Sequence, residues 1–264
     1  MTSITVKNSY SVRSQQWREF WFYFSASKTA VAGLFFLIGV VLMAVFADVI
    51  SPHLPAEQYR DFTEIPPAWM EGGQMRFFLG TDYAGRDMLS RIIHGARLSL
   101  IAGAIVVIMS ASIGVLLGLV AGFQGGWVET IIMRVMDTIM AVPGLLMALV
   151  LVAVLGPGLL NAMVAIAITY TPSFVRLTRA STMTELNKDY VTASKVAGAG
   201  PVRLMFISIL PNCMAPLIVQ GTLSFSTAIL DTAALGFLGM GAQAPLPEWG
   251  TLIAENRDLM LSAP

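Results

Sequence analysis

The chain alternates long stretches without a single charge and short islands that hold nearly all of its charge. Thr29 to Phe46 is eighteen uncharged residues, close to the roughly 20 that a bilayer-spanning helix needs. Leu98 to Phe123 is twenty-six, long enough to cross with tilt. Thr138 to Val175 is thirty-eight, too long for one helix, and Gly156-Pro157-Gly158 breaks it. That stretch therefore predicts two spans joined by a tight hairpin, over Ile131–Leu155 and Leu159–Val175. Leu204 to Leu230 is the last long apolar run, with Pro211 and Pro216 in its first half. The pattern predicts five spans.

The islands supply orientation and connections. Trp17 to Phe24, WREFWFYF, is dense in aromatic rings that favour the headgroup zone, so a helix lying along the interface is expected before the first span. Lys7, Arg13, Arg18 and Lys28 against Glu19 leave the N-terminus in the cytoplasm by the positive-inside rule. Arg176 to Arg203 holds five basic and two acidic residues, which makes it cytoplasmic too and agrees with the span count. Pro52 to Arg97 is then an external polar segment, and its five arginines fit that rule poorly. Gln124 to Trp127, QGGW, is a tight inner turn. Gly114, Gly118 and Gly122 form two overlapping G-x-x-x-G motifs, suited to close helix packing either within the subunit or between subunits.

Composition narrows the class. Hydrophobic residues make up 56% and charged residues 12%, against about a quarter charged in soluble domains, so this is an integral membrane protein. The 16 basic and 16 acidic residues cancel and say nothing about an acidic or nucleic-acid partner. The lone Cys213 cannot form an internal disulfide, and His53 and His94 have no companions at metal-ligand spacing. No P-loop G-x-x-x-x-G-K-[ST] occurs, so the chain lacks the standard ATP-binding loop. There is no Ser/His/Asp constellation and no paired carboxylate site.

Three places carry candidate function. The first is the watery island from Asp189, DYVTASKVAGAG. Asn187 or Asp189 can cap a helix there and Gly198 can end it. On that helix Tyr190, Ala193 and Ala197 share a stripe suited to docking in another protein's groove, or to resting on headgroups. The second is Gly80 to Leu100, GTDYAGRDMLSRIIHGARLSL, expected as an amphipathic surface helix with Asp87 and Arg91 as an ordinary i, i+4 pair. The third comprises Pro143 and Pro172, which are expected to kink their helices, and Asp231. Asp231 is either a pathway carboxylate or a residue at the outer headgroup level.

Ala193, Gly198, Leu210 and Pro211 resemble the cytoplasmic signature of ABC importer permeases, E-A-A-x3-G-x9-I-x-L-P. Thr192, Ser194 and Ser208 depart from it. The form Y-V-x-A-S-K with L-P-N at Leu210 to Asn212, the block G-T-D-x-x-G-R-D-x-x-S-R, and A-A-L-G-F-L-G-x-G followed by P-E-W-G are similar to the peptide and nickel branch, closest to its dipeptide permease of the C type. The resemblance implies an all-α integral membrane protein, a polytopic helical bundle of the type I ABC importer permease fold. It implies a coupling helix at 189–198 that contacts an ATPase through Asp189, Tyr190, Val191, Ala193, Ser194, Lys195, Ala197, Gly198, Leu210 and Pro211. It also implies an external motif of Gly80, Thr81, Asp82, Gly85, Arg86, Asp87 and Arg91.

The partners implied are a homologous second permease, two ATPases that bind the ATP and Mg, an extracytoplasmic solute-binding protein and membrane lipid, with no nucleic acid and no cofactor in this chain. The activity implied is non-catalytic translocation of dipeptides across a bacterial inner membrane. Nickel, glutathione or haem import is the alternative within the branch, and an ion-gradient secondary transporter the alternative outside it. The chain divides into a cytoplasmic segment 1–28, a first transmembrane helix 29–51, an external segment 52–97 and a permease core 98–264. Family members continue into a sixth span, so truncation before it is expected.

Overall fold

A computed structural model describes residues 10–257, apart from the side chains of 10–16 and 20. Lys7 and Arg13, counted above for orientation, and any sixth span past residue 264 lie outside the described side chains. The described chain is helical, with a single isolated bridge between Thr81 and Asp87. In order the helices are α1 (Tyr10–Ala26), α2 (Lys28–Val45), α3 (Ala47–Ile50), α4 (Met88–Gln124), α5 (Gly126–Met140), α6 (Gly144–Leu155), α7 (Leu159–Leu186), α8 (Asp189–Val196), α9 (Pro201–Arg203), α10 (Leu210–Phe237) and α11 (Trp249–Asn256). A π-helical turn over Leu204–Ile209 joins α9 to α10. Among the described residues four helices are long and apolar enough to cross a membrane, namely α2, α4, α7 and the run Pro201–Phe237.

The fifth span departs from expectation. The run Ile131–Leu155 is two helices, α5 and α6, meeting at 90°. Proline lacks an N–H and drives the residue before it out of the helical region, so the break falls at Ala141–Pro143, and Pro143 becomes the N-cap of α6. Pro172, expected as a second kink, lies buried inside an unbroken α7. The segment expected to be external over 52–97 gives its last part, from Met88, to α4. The first transmembrane element, expected over 29–51, is α2 followed by the short α3.

The glycine pattern of α4 is answered by α7. A Cβ on Gly114 would meet Phe174 Cβ at 2.4 Å, one on Gly118 would meet Thr178 Cβ at 2.6 Å, and one on Gly122 would meet the Arg179 carbonyl at 2.8 Å. The motif thus serves packing within the subunit, backbone against backbone. Two apolar cores follow along this seam. One holds Ala102, Val106, Val152, Ile166, Ala228 and Leu235, and the other Leu119, Phe174, Leu204, Ile209, Cys213 and Leu217. The first lies toward the end where residues 52–87 and α11 form a cap, the second toward the end where α8 sits.

Candidate functional site

α8 buries one side chain in the bundle. Val191 is fully buried and belongs to the second core, with Leu204, Ile209 and Cys213. It therefore belongs to the interior, although it is expected on the contact face. Ala193, Lys195, Val196 and Ala197 are exposed, Val196 to 84%. The stripe expected from spacing is altered at its first member: the Tyr190 hydroxyl donates to Glu185 Oε2 at 2.5 Å, which ties α8 back to α7. Loss of solvent around the phenol, then the Glu185 carboxylate, push its pKa up to about 12, so it stays a donor at any physiological pH.

The helix ends as a Schellman motif. The Ala199 N–H reaches the Ser194 carbonyl at 3.0 Å and the Gly198 N–H that of Lys195 at 3.0 Å. Gly198 is at φ +84°, a conformation that favours glycine. The start differs from expectation: Lys188 is the N-cap, without a side-chain bond, and Asp189 is the first helical residue. The Asn187 amide instead donates to the Met183 carbonyl at 3.0 Å and closes α7.

Beyond α8 the chain re-enters the bundle through the π turn, where the Leu210 N–H bonds Met205, five residues back. Pro211 explains the widening, since its ring clashes with the carbonyl four residues earlier. Asn212 donates its amide to the Ser208 carbonyl at 2.8 Å. Leu210 packs on the second core, and Pro211 is exposed. On the neighbouring face Arg176 pairs with Asp137 at 2.6 Å, and Arg179 pairs with Glu129, which ties α5 to α7. Asp137 is thus paired across helices.

The cap is the opposite construction. Asp82 is wholly buried and accepts from the backbone N–H of Ala84 and Arg86, both at 2.9 Å, from Arg86 Nε at 2.7 Å and from Arg91 Nη1 at 2.7 Å. Glu255 of α11 takes Arg86 at 3.0 Å and Arg91 at 2.7 Å through one oxygen. Two guanidinium groups and two carboxylates are thereby closed on one another, joining residues 80–91 to α11.

Thr81 donates to the Phe62 carbonyl at 2.6 Å and accepts from the Ile65 N–H at 2.9 Å. Gly80 and Gly85 are at φ +81° and +72°. A Cβ on either would strike the carbonyl of Ile65 or Tyr59 at 2.3 Å. The expected Asp87–Arg91 side-chain pair does not form. Asp87 is the N-cap of α4, accepting from the Ser90 N–H at 3.1 Å and from the Ser90 hydroxyl, with His53 Nδ1 at 3.3 Å. Helix α4 begins only at Met88, so the expected surface helix is instead a buried turn leading into a span.

Sequence reasoning did not reach Glu255 or Glu248. Glu248 is fully buried, caps α11 through the Thr251 N–H at 3.0 Å and accepts from Ser99 at 3.2 Å. The misfit of arginines on the outer side was the one signal for Glu255, because buried arginines require acidic partners. Asp231 lies within α10 and accepts from the Tyr170 hydroxyl at 2.7 Å. No group of three or more His, Cys, Asp or Glu suited to a metal occurs among the described residues.

A family model described as binding-protein-dependent transport system inner membrane component matches residues 114–263. The chain belongs to this family of ABC importer permeases. A second model, the N-terminal TM domain of oligopeptide transport permease C, matches residues 15–67 of the permease. The permease is 60% identical over 241 residues to the di/tripeptide transport system permease protein DppC of Pseudomonas aeruginosa, covering 91% of this chain and 80% of that one. It is 58% identical over 246 residues to the dipeptide transport system permease protein DppC of Escherichia coli K12, covering 93% and 82%. Its fold is similar to a chain of the MetNI methionine ABC transporter in an inward-facing conformation. The TM-score is 0.55 at 17% identity, covering 67% of this chain and 84% of that one. At that identity the likeness speaks for the fold alone. As an ABC importer permease the chain is a multi-pass inner-membrane subunit that works with an ATPase and a binding protein.

Proposed function

We propose that this permease passes dipeptides, delivered by an extracytoplasmic binding protein, across a bacterial inner membrane, with α8 as the contact through which partner ATPases drive it. The observation that carries the reading is the build of α8: an exposed face of Ala193, Lys195 and Val196 on a helix whose one buried side chain, Val191, is wedged in the core shared by α4, α7 and α10. A push on that face reaches three long helices at once. ATP and Mg are bound by two ATPase subunits, and this chain supplies neither cofactor nor catalysis. A homologous second permease completes the pathway.

In this reading the N-terminus and α8 are cytoplasmic and the cap is external. Residues 1–28 form a cytoplasmic segment, 29–51 the first transmembrane helix, 52–97 the external segment and 98–264 the core. Nucleotide binding drives the cycle only in so far as its free energy differs between the inward- and outward-open states. A dipeptide substrate is favoured over glutathione because relatives named for dipeptide transport are 42–60% identical, while one named for glutathione transport is 38% identical.

The test is uptake of labelled dipeptide by proteoliposomes holding the full complex. Uptake should require ATP and the binding protein, and Ala193→Arg should abolish it while the complex remains inserted. Uptake that persists without ATP under an ion gradient, or that survives Ala193→Arg, contradicts the reading.

A further inference from the structure

The apolar parts of the long helices contain one charged side chain. Thr29–Phe46, Leu98–Phe123, Gly144–Leu155, Leu159–Val175 and Leu204–Phe237 include Asp231 and no other acidic or basic residue. Asp231 is six residues before the end of α10, about 9 Å along the axis, and its partner Tyr170 is eleven residues into α7, about 16 Å from the start. The carboxylate is half-buried and takes part in no ion pair within 4.0 Å among the described residues. A charge at such a position needs a partner, and no described cation lies within ion-pair distance of it.

The surrounding polar atoms indicate what kind of partner fits. The Tyr170 hydroxyl spends its proton on Asp231 Oδ2 at 2.7 Å. The exposed Thr227 hydroxyl spends its own on the carbonyls of Leu223 and Ser224, each at 3.2 Å. Tyr170, Thr227 and Asp231 adjoin one another, and each has acceptor capacity left with no free donor. On α10 Gln220, Ser224, Thr227 and Asp231 recur at i, i+4, i+7 and i+11, a run of polar side chains along one face of the helix. An acceptor-only cluster with one negative charge is complementary to an ammonium, which has three donors and no acceptor.

We infer that Asp231, with the oxygens of Tyr170 and Thr227, is a transient subsite for the amino-terminal ammonium of a peptide crossing the membrane. The inference deepens the peptide-permease reading and rests on it. Asn at position 231 keeps the shape and can still accept from Tyr170, but it loses the charge.

The test uses the complete complex in proteoliposomes. Asp231→Asn should lower ATP-driven dipeptide uptake about tenfold, the loss of one charge-assisted contact, with normal copurification of the second permease and binding-protein-stimulated ATP hydrolysis within about twofold of wild type. A second readout needs no transport. With Cys213→Ala removing the one native thiol, Thr227→Cys should react faster with a cationic than with an anionic methanethiosulfonate. Dipeptide should slow that reaction, and Asp231→Asn should erase the preference.

Uptake unchanged by Asp231→Asn, a cysteine at 227 closed to aqueous reagents, or loss of the second permease from the variant complex would overturn the subsite. The last result would mean that Asp231 is an interface ion pair. A wild-type complex that moves no dipeptide would overturn the peptide reading as well, so the two failures are separable.

Discussion

The cap and α8 are both charged islands between apolar helices, yet they spend their charge in opposite ways. In the cap, Asp82, Arg86, Arg91 and Glu255 are turned inward and closed on one another. On α8, Asp189 and Lys195 face outward, and the inward position belongs to the apolar Val191. A buried ionic cluster tolerates little change, because removing one member strands another in low dielectric. An exposed helix that rests on one buried apolar side chain and one hydrogen bond, Tyr190 to Glu185, can be pressed without being dismantled. The difference separates a fixed anchor from a contact face.

The largest effect should come from breaking the anchor. Asp82→Asn leaves two buried guanidinium groups with half of their counter-charge, at a cost of about 3–5 kcal/mol. The variant should accumulate poorly in the membrane and melt far below wild type in detergent, whereas Lys195→Gln should shift stability by no more than about 0.5 kcal/mol. Equal effects of the two would erase the contrast.

Next comes the seam between the regions. Gly118→Val places methyl groups where the Val175 carbonyl already stands 2.7 Å from a Cβ. It should cost about 1–3 kcal/mol by overpacking, read as a lower melting temperature. Val191→Ala removes two methyl groups' worth of burial, about 1.5 kcal/mol. Its mark should be functional: ATP hydrolysis continues while dipeptide uptake falls, because the face still binds but the wedge is loose.

The smallest effect concerns Asp48, which lies past the end of the apolar span Lys28–Val45 and joins α3 to the partly buried Arg97 at 2.9 Å. The Arg97 hydrogen bond holds its carboxyl below the ordinary 3.8. A lowered pKa stabilises the fold above the unfolded value and loses that contribution as pH falls through the folded one. Asp48→Asn should therefore differ slightly from wild type in melting temperature at pH 7 and not at all at pH about 2, since exposed pairs contribute little.

Much of this was legible in the order of residues. Runs without charge mark α2, α4, α7 and α10 because a membrane core excludes charge, and Gly198 marks the end of α8 because few other residues adopt its φ. What was hidden depends on contacts far apart in the chain. Glu255 lies 164 residues from the Arg91 it neutralises, and no local spacing announces such a pair. Asp87 reads as an i, i+4 partner of Arg91 only if α4 begins before it. Once the helix starts at Met88, the same carboxylate becomes a cap. Val191 and Ala193 look alike as small apolar residues on α8, and only the position of the second core decides that one faces in and the other out. Pro143 was visible as a disturbance, but its 90° angle was not, because the tilt of α5 is also set by Glu129 and Asp137 meeting Arg179 and Arg176.

The central claim, that α8 presents its face to a nucleotide-driven subunit, is tested most directly by crosslinking. A cysteine at Ala193, with Cys213→Ala, should form a disulfide-length crosslink to a cysteine-bearing ATPase subunit in the assembled complex, with a yield that changes when ATP is added. A crosslink that never forms, or labelling of Lys195 only from the binding-protein side of the membrane, would contradict it.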